Sequence, residues 1–267
     1  MKKFWGFLLV IVLMTSCGEY QSLLKSNDYN LVYKKAIEYY NKGDYQRAMN
    51  LLDGVRSVFV GQAKAQNIAY YRAFCSYNMK DYQIASDLFK QFIQTYPESS
   101  FAEECLYMMG FCDYKASPKP RLDQQVTEKA IREFQLYLSR YPYSMRKDKV
   151  NTYMDEMRDK LSYKAYLSAK NYYLREHYKA AVISLQNCLK DYPGSKYREE
   201  IMYMLFVSKY QMAVNSVEDK KVERYNNARE EYYYFADEYP NSRYAADVKK
   251  MYEDIAVSYT HLTLPTT

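Results

Sequence analysis

The chain has 267 residues, of which 48% are hydrophobic and 26% charged, a balance that allows one or two globular domains with a sizeable core. It holds 34 tyrosines but only 7 glycines and 7 prolines, which disfavours a β-rich fold with many tight turns and favours long helices. The net charge is +6, but lysine and arginine alternate with acidic residues, so no basic stripe indicates nucleic-acid binding.

The N-terminal residues 1–16 have the pattern of a secretory signal peptide. Lys2 and Lys3 precede an apolar run from Phe4 to Met14, and two small residues follow before Cys17. A helix over this run is about 16 Å long, which is too short for a hydrocarbon core of about 30 Å. We therefore predict a cleaved signal rather than a membrane span.

Residues 13–17, Leu-Met-Thr-Ser-Cys, resemble a bacterial lipobox. This resemblance implies that Cys17 is the first mature residue and carries fatty acyl chains such as palmitate on its thiol and amine. More than one chain gives stable anchoring, at about 0.8 kcal/mol per buried CH₂. The residues after Cys17 include no aspartate at the second position, as in lipoproteins of the outer membrane that face the periplasm. The alternative is a plain secretory signal with a chance cysteine, and residues 17–30 are interpreted as a linker.

The other cysteines and the histidines give no metal-binding pattern. Because four cysteines remain, disulfides must be considered in an oxidising compartment. Cys105 and Cys112 lie about 10 Å apart along one predicted helix, too far for a bridge, and are interpreted as small buried residues. His177 and His261 are far apart, and no C-x-x-C is present. The four cysteines are Cys75, Cys105, Cys112 and Cys188.

The sequence Tyr-Pro-x-Ser occurs four times, at residues 96–99, 141–144, 192–195 and 239–242. Fourteen residues before each of these tyrosines a helical register begins, with alanine three residues on and a large apolar or aromatic residue seven residues on. This spacing is one face of a 3.6-residue period. The same register occurs once more without Tyr-Pro. It predicts five repeats, which start at Tyr45, Tyr82, Thr127, Tyr178 and Tyr225.

Each repeat is predicted to be a helix, a tight turn and a second helix. Polar breaks at 41–45, 78–82 and 175–178 separate the helices. A two-helix unit cannot bury its apolar face alone, so we predict an all-α fold, an α-solenoid of about five stacked helix pairs. Proline ends each second helix, and the serine two residues later is expected to cap the next helix. Tyr-Pro-x-Ser is therefore interpreted as an inter-repeat turn rather than a binding motif. The four serines are Ser99, Ser144, Ser195 and Ser242.

We predict N-terminal repeats 1–3 over 31–142 and C-terminal repeats 4–5 over 143–256. A Pro-bearing loop at 116–125 is expected to project from the third repeat. The first helix of the fourth repeat is long, from about Met145 to Glu176, and is expected to join the two halves rigidly. The uncharged tail at 258–267 is interpreted as non-native and is not expected to continue the helical pattern.

The repeats resemble the tetratricopeptide repeat, in which the first helix of each pair lines a binding groove. In the second unit its signature positions are filled by Ala73, Tyr82, Ala85, Phe89 and Pro97, and in the first by Ala36, Gly43, Tyr45 and Ala48. Asparagine amides hydrogen-bond an extended backbone, and tyrosine rings form pockets for its side chains. The alternative is that these tyrosines are half-buried packing residues. The predicted peptide-binding groove consists of Tyr33, Tyr40, Asn41, Tyr70, Tyr77 and Asn78, with Tyr166 and Tyr173 on the same face of the fourth unit.

Residues 17–250 resemble the BamD family, the lipoprotein subunit of the outer-membrane β-barrel assembly machine. The most specific parts are YYLREHYKAAV at 172–182 and LKDYP at 189–193, and RLDQQ at 121–125 resembles the family's loop. The resemblance implies a periplasm-facing scaffold anchored to the membrane by lipid. It also implies two partners, unfolded barrel proteins with an extended aromatic-rich end and a BamA-like barrel protein bound by the units at 178–250.

No catalytic pattern is found: the sequence has no Gly-rich phosphate loop, no nucleophile elbow and no H-E-x-x-H. We therefore predict no enzyme activity and no cofactor. The main alternative function is another periplasmic tetratricopeptide adaptor in cell-envelope or division coordination. Such an adaptor usually has an N-terminal coiled coil, for which residues 18–30 are too short. A glycan-binding lipoprotein with such repeats needs a much longer chain.

Overall fold

The computed structural model describes residues 18–263, so the predicted signal peptide, Cys17 and the last four residues lie outside the described range. The described residues form helices joined by short turns and contain no strand. The first helix, α1, covers residues 18–24 of the described chain. The others are α2 Tyr29–Asn41, α3 Tyr45–Val55, α4 Ala63–Asn78, α5 Tyr82–Thr95, α6 Ala102–Ala116, α7 Gln125–Arg140, α8 Lys147–Leu174, α9 Tyr178–Asp191, α10 Arg198–Val214, α11 Glu218–Glu238 and α12 Ala245–Thr263.

The helices group into two compact units. Unit 1 contains residues 18–118 and 123–157, and unit 2 contains residues 119–122 and 158–263. Helix α8 contributes to both, because Val150 and Met157 lie in a core of unit 1 whereas Tyr166 and Ala169 lie in a core of unit 2. Within unit 2, Lys164 donates to the Leu122 carbonyl at 2.7 Å, so the loop before α7 has a fixed contact at that residue.

Unit 1 is a stack of three helix pairs, α2/α3, α4/α5 and α6/α7, in which each helix packs on the next. Ala36, Ala73 and Gly110 occupy the same place on α2, α4 and α6, and all three are small because a second helix passes close by. A Cβ on Gly110 would meet the Phe134 ring at 2.9 Å. The close approach of α7 therefore requires glycine at this position.

Unit 2 contains the rest of α8 with α9, then α10 with α11, and finally α12, which packs on both α10 and α11. Here the position equivalent to Gly110 is Phe206, which is fully buried and contacts the Tyr232 ring at 6.3 Å. Large side chains therefore stand on both helices of this pair, since Tyr232 occupies the position of Phe134. The stacked pairs confirm the predicted all-α solenoid of tetratricopeptide-like repeats.

The turn inside three of the pairs needs a residue in the left-handed region of φ. Gly43 has a φ of 80°, and the equivalent residues Lys80 and Glu176 have φ values of 67° and 60°. Glycine adopts this conformation without strain, whereas the two longer residues adopt it at a cost. In the first pair Asp44 follows, and its side chain accepts the Arg47 N–H at 3.2 Å.

The four Tyr-Pro-x-Ser segments form one recurring turn. In each, the tyrosine N–H completes the preceding helix, and the serine N–H donates to the tyrosine carbonyl at 3.0–3.2 Å. Each serine hydroxyl accepts the N–H of the residue two positions later, also at 3.0–3.2 Å. The helix begins one residue after that. The interpretation as a turn is thus correct, but the serines stabilise the turn and are not themselves the N-cap residues that we predicted.

Two further observations concern the predicted tail and the cysteines. Helix α12 continues to Thr263, so the prediction that the helical pattern stops before Ser258 was wrong. Apolar and aromatic residues such as Tyr259 and Leu262 pack beside the α10–α12 core and extend the helix's buried face. All four cysteines of the described chain are buried free thiols, and burial raises the pKa of Cys75 and Cys105 to about 12.

Candidate functional site

The first helix of every pair carries two tyrosines separated by seven residues, which places both on one helix face. The sequence analysis found three of these tyrosine pairs and missed those on α6 and α10. Both could have been identified from the same seven-residue spacing, with Gly110 as the reference position on α6 and Glu199 as the reference position on α10. The complete set is Tyr33/Tyr40, Tyr70/Tyr77, Tyr107/Tyr114, Tyr166/Tyr173 and Tyr203/Tyr210.

The first tyrosine of a pair is held at the next inter-repeat turn. The Tyr70 ring lies 4.6 Å from the Phe101 ring, and its hydroxyl donates to Glu104 at 2.9 Å. Burial, followed by this carboxylate, raises the pKa of Tyr70 well above its usual value. Phe101 stands two residues after the turn serine Ser99, so Tyr70 connects α4 to the start of α6.

The same contact recurs in the later pairs with a different partner each time. Tyr166 stacks on Tyr197 with ring centroids 4.4 Å apart, and Tyr203 stacks on Tyr244 at 4.0 Å. In the third pair the guanidinium of Arg146 lies 4.8 Å from the centre of the Tyr107 ring. All these partners stand two residues after a turn serine. The first tyrosines from Tyr70 onward therefore stabilise the stacking of successive repeats.

The second tyrosines contact the neighbouring helices. Tyr40 makes edge contacts with the rings of Tyr45 at 5.5 Å and Tyr71 at 4.9 Å. Burial raises the pKa of Tyr40 to about 12, and a hydrogen bond with Asn78 acts in the opposite direction. The Asn78 amide also donates to the Phe74 carbonyl at 2.8 Å. Tyr40 and Asn78, which belong to different repeats, are thereby brought together.

Ring contacts continue across unit 1 and form what we call the aromatic series. Tyr77 lies 6.3 Å from Phe74 and 6.2 Å from Phe111. At its end Tyr114 stacks on Tyr153 at 4.4 Å. The aromatic series runs Tyr40, Tyr71, Tyr70, Phe74, Tyr77, Phe111, Tyr114 and Tyr153.

Of the six predicted groove residues, the structure joins Tyr40, Tyr70, Tyr77 and Asn78 in or beside the aromatic series. Tyr33 lies apart from it, against the Phe59 ring at 6.1 Å and under the Lys64 ammonium at 5.7 Å. Asn41 is exposed at the end of α2. The face thus offers half-buried aromatic rings with amide groups at the helix ends.

Unit 2 has a related aromatic group of its own. The rings of Tyr163, Tyr166 and Tyr197 stack on one another beside a hollow of about 380 Å³. Lys170 donates to the Tyr166 hydroxyl at 2.8 Å and to Glu200 at 2.7 Å, which raises the pKa of this lysine. Leu174 also lines this hollow and is exposed. Aromatic walls beside a cation and an apolar side chain can bind a peptide segment.

Residues 18–263 contain no helix long and apolar enough to cross a bilayer. Over the same range, no group of three or more histidine, cysteine or acidic side chains is arranged to hold a metal ion. The chemistry that the described faces offer is apolar and aromatic contact with hydrogen bonding.

Stacked helix pairs with a repeated aromatic face define a repeat protein of the tetratricopeptide class. The profile of the YfiO family, described as outer membrane lipoproteins, matches residues 25–200 and 165–258. The chain belongs to this family of outer membrane lipoproteins.

Among solved structures, a TPR-repeat protein from Bacteroides fragilis is similar, with a TM-score of 0.42 and 12% identity over 87% of this chain and 100% of its own. The TPR2AB-domain:pHSP90 complex of yeast Sti1 has a TM-score of 0.38 and 11% identity, over 85% of this chain and 98% of that one. Human IFIT1, solved as a dimer with PPP-AAAA, has a TM-score of 0.30 and 16% identity, over 93% and 64%. No curated protein sequence matches the chain.

Proposed function

We propose that this lipoprotein is a BamD-like scaffold of the outer-membrane β-barrel assembly machine, anchored through Cys17 and facing the periplasm. The observation that carries the proposal is the extent of the family match, which covers residues 25–258 and therefore all five helix pairs. In this proposal, repeats 1–3 bind unfolded barrel proteins, and repeats 4–5 bind a BamA-type subunit.

The proposed peptide site is the tyrosine face of the first two pairs, formed by Tyr33, Tyr40, Asn41, Tyr70, Tyr77 and Asn78. From their contacts in unit 1, we assign these residues different roles in peptide binding. Because the Tyr70 hydroxyl is bound to Glu104, Tyr70 contributes its ring edge and the position of α6. Tyr40 and Tyr77 contribute apolar pockets, and the asparagine amides bond the peptide backbone.

The peptide site is tested with the double variant Tyr40→Ala and Tyr77→Ala. We expect it to bind a barrel protein's C-terminal peptide at least about tenfold more weakly, because two aromatic contacts are lost. Tyr143→Ala is the matched control, since Tyr143 is 97% exposed on an inter-repeat turn. Fluorescence anisotropy measures the affinity and circular dichroism the helicity. Unchanged affinity with intact helicity contradicts the site.

The scaffold role is tested in cells of the source organism. Affinity purification of the Cys17-anchored protein from membranes is expected to recover a BamA-like barrel protein, and depletion of the chain is expected to reduce folded outer-membrane barrels. Recovery of division or cell-envelope proteins, with barrels assembled at normal levels, supports the alternative adaptor function instead. A Cys17→Ser variant is expected to lose the membrane fraction.

A further inference from the structure

A hollow of about 410 Å³ lies in unit 1 between α4, α5 and residues 56–60, which follow α3. Helix α4 lines it with Ala65, Ala69 and Arg72. None of the rings of the aromatic series is among its lining residues, although Phe92 of its wall lies 6.4 Å from the Tyr70 ring. We call it the Arg72 hollow.

The Arg72 hollow combines a cation with apolar walls. The Arg72 side chain is only 11% exposed, and its Nε donates to Asp53 at 2.6 Å. Its two terminal amino groups have no acceptor within the part of the chain that the structure describes. Because Arg72 lines the hollow and its terminal amino groups have no acceptor of their own, these groups can donate to an incoming carboxylate.

The surrounding residues define what can accompany that acceptor. Ala65 and Ala69 leave space on the floor, and Leu88 and Phe92 of α5 form an apolar wall. A second cation, Arg56, stands at the rim and is exposed. The space suits one apolar side chain, and the two arginines suit a carboxylate beside it.

The next hollow along unit 1, between α5, α6 and α7, shows that this arrangement is not a general property of the repeat. It measures about 360 Å³. There Leu106 stands where α4 has Ala69, and Met109 stands where α4 has Arg72. The equivalent floor is thus apolar, and the charged groups of this hollow lie elsewhere: Lys90 and Arg132 are exposed at the rim, and Lys129 and Glu133 pair with each other at 3.6 Å.

We propose that the Arg72 hollow binds an acidic-apolar peptide segment of a partner protein, with an Asp or Glu carboxylate on Arg72 and a neighbouring apolar side chain between Ala69 and Phe92. The guanidinium fork matches a carboxylate in two parallel hydrogen bonds. Charge complementarity selects this occupant, because the hollow presents two arginines and one carboxylate, Asp53. The site goes beyond the proposed precursor face and does not depend on it.

The test uses the full lipoprotein in detergent and a fluorescent, end-blocked peptide with a central Glu-Phe. Arg72→Met and Ala69→Leu copy the residues of the second hollow, so both are compatible with the fold. We expect Arg72→Met to weaken binding at least about tenfold, which corresponds to the loss of a charged hydrogen bond. Ala69→Leu is expected to weaken it by a similar factor through loss of space. A peptide with Gln in place of Glu is expected to bind the unaltered protein about as weakly as the Glu-Phe peptide binds the Arg72→Met variant.

The controls separate this site from the proposed function and from general charge. Lys90→Met removes a cation at the rim of the second hollow and is expected to leave Glu-Phe binding unchanged. Tyr77→Ala is also expected to leave it unchanged, so failure of the tyrosine site and failure of this one are distinguishable. The proposal is overturned if the unaltered protein does not bind the Glu-Phe peptide, if it binds the Gln peptide equally, or if Arg72→Met binds as the unaltered protein does.

Discussion

The third and fifth helix pairs, one in each unit, place a charge at the same buried position and compensate it differently. In unit 2, Lys209 of α10 pairs directly with Glu231 of α11 at 2.5 Å. In unit 1 the residue equivalent to Lys209 is Asp113, which faces a second acid, Glu133. Lys129 supplies the cation there, at 2.8 Å from Asp113 and 3.6 Å from Glu133. Unit 2 has an acid–base pair, whereas in unit 1 one lysine faces three acids, since Lys129 also lies 3.9 Å from Asp87.

The same helix geometry therefore accommodates a positively charged residue in unit 2 and an acidic residue at the equivalent position in unit 1. Burial, followed by the hydrogen bond and charge of Asp113, raises the pKa of Glu133 to about 8. The raised pKa of Glu133 lowers the negative charge that this carboxyl places beside Asp113 and Lys129.

The largest expected effect comes from breaking the unit 2 pair. Lys209→Met leaves Glu231 nearly buried without its cation, and we expect the free energy of unfolding of unit 2 to fall by about 2–4 kcal/mol. Urea denaturation followed by circular dichroism measures it. The double variant Lys209→Met with Glu231→Gln should recover much of the loss. A single variant as stable as the unaltered protein would show that the pair contributes nothing.

The second prediction separates the two sites by pH. Because the pKa of Glu133 is raised from 4.5 to about 8, its contribution to stability is fully present below about pH 4.5 and is lost as the pH rises through about 8. Glu133→Gln has no proton to lose, so its stability relative to the unaltered protein should improve by about 2–4 kcal/mol between pH 5 and pH 9, at about 1.4 kcal/mol per unit of pKa difference. Thermal melting at each pH measures this.

Glu231→Gln is the matched control for this pH series, since Glu231 has its own lysine. Its stability relative to the unaltered protein should not improve over the same interval. If the stabilities of the Glu133→Gln and unaltered proteins change in parallel from pH 5 to pH 9, the pKa of Glu133 is not raised in the folded protein and this explanation of unit 1 is incorrect.

The smallest effect concerns the turn serines. The Ser144 hydroxyl contacts both Glu103, at 2.7 Å, and the Tyr137 hydroxyl, at 2.5 Å. Ser242 contacts Glu199 at 2.6 Å, and phenylalanine replaces tyrosine at the equivalent position, Phe235. We expect Ser144→Ala to cost about 1–2 kcal/mol and Ser242→Ala about 1 kcal/mol. Chemical denaturation of both variants compares them, and an equal loss would assign no role to the tyrosine.

Helix positions were predictable because they follow from local periodicity. The long helix expected from about Met145 to Glu176 is Lys147–Leu174, and the expected breaks are the observed turns. The continuation of α12 to Thr263 was not predictable from the lack of charge in this segment, because packing of Tyr259 and Leu262 against the core extends the helix there. The partners of Glu104 and Glu200, in the first turns of α6 and α10, were not predictable either: each bonds a side chain on the first helix of the preceding pair.

The sequence alone determined the repeat register, the all-α class and which residues share a helix face, because a 3.6-residue period and a proline are local signals. The tertiary structure alone decided what that face does. Two tyrosines seven residues apart look equivalent along a helix, yet Tyr70 is held by Glu104 and Phe101 while Tyr77 joins a row of rings. The same holds for Arg72, whose burial against an open hollow depends on Ala69 and on α5. Contacts between distant residues assign these roles, and spacing along the chain contains no information about them.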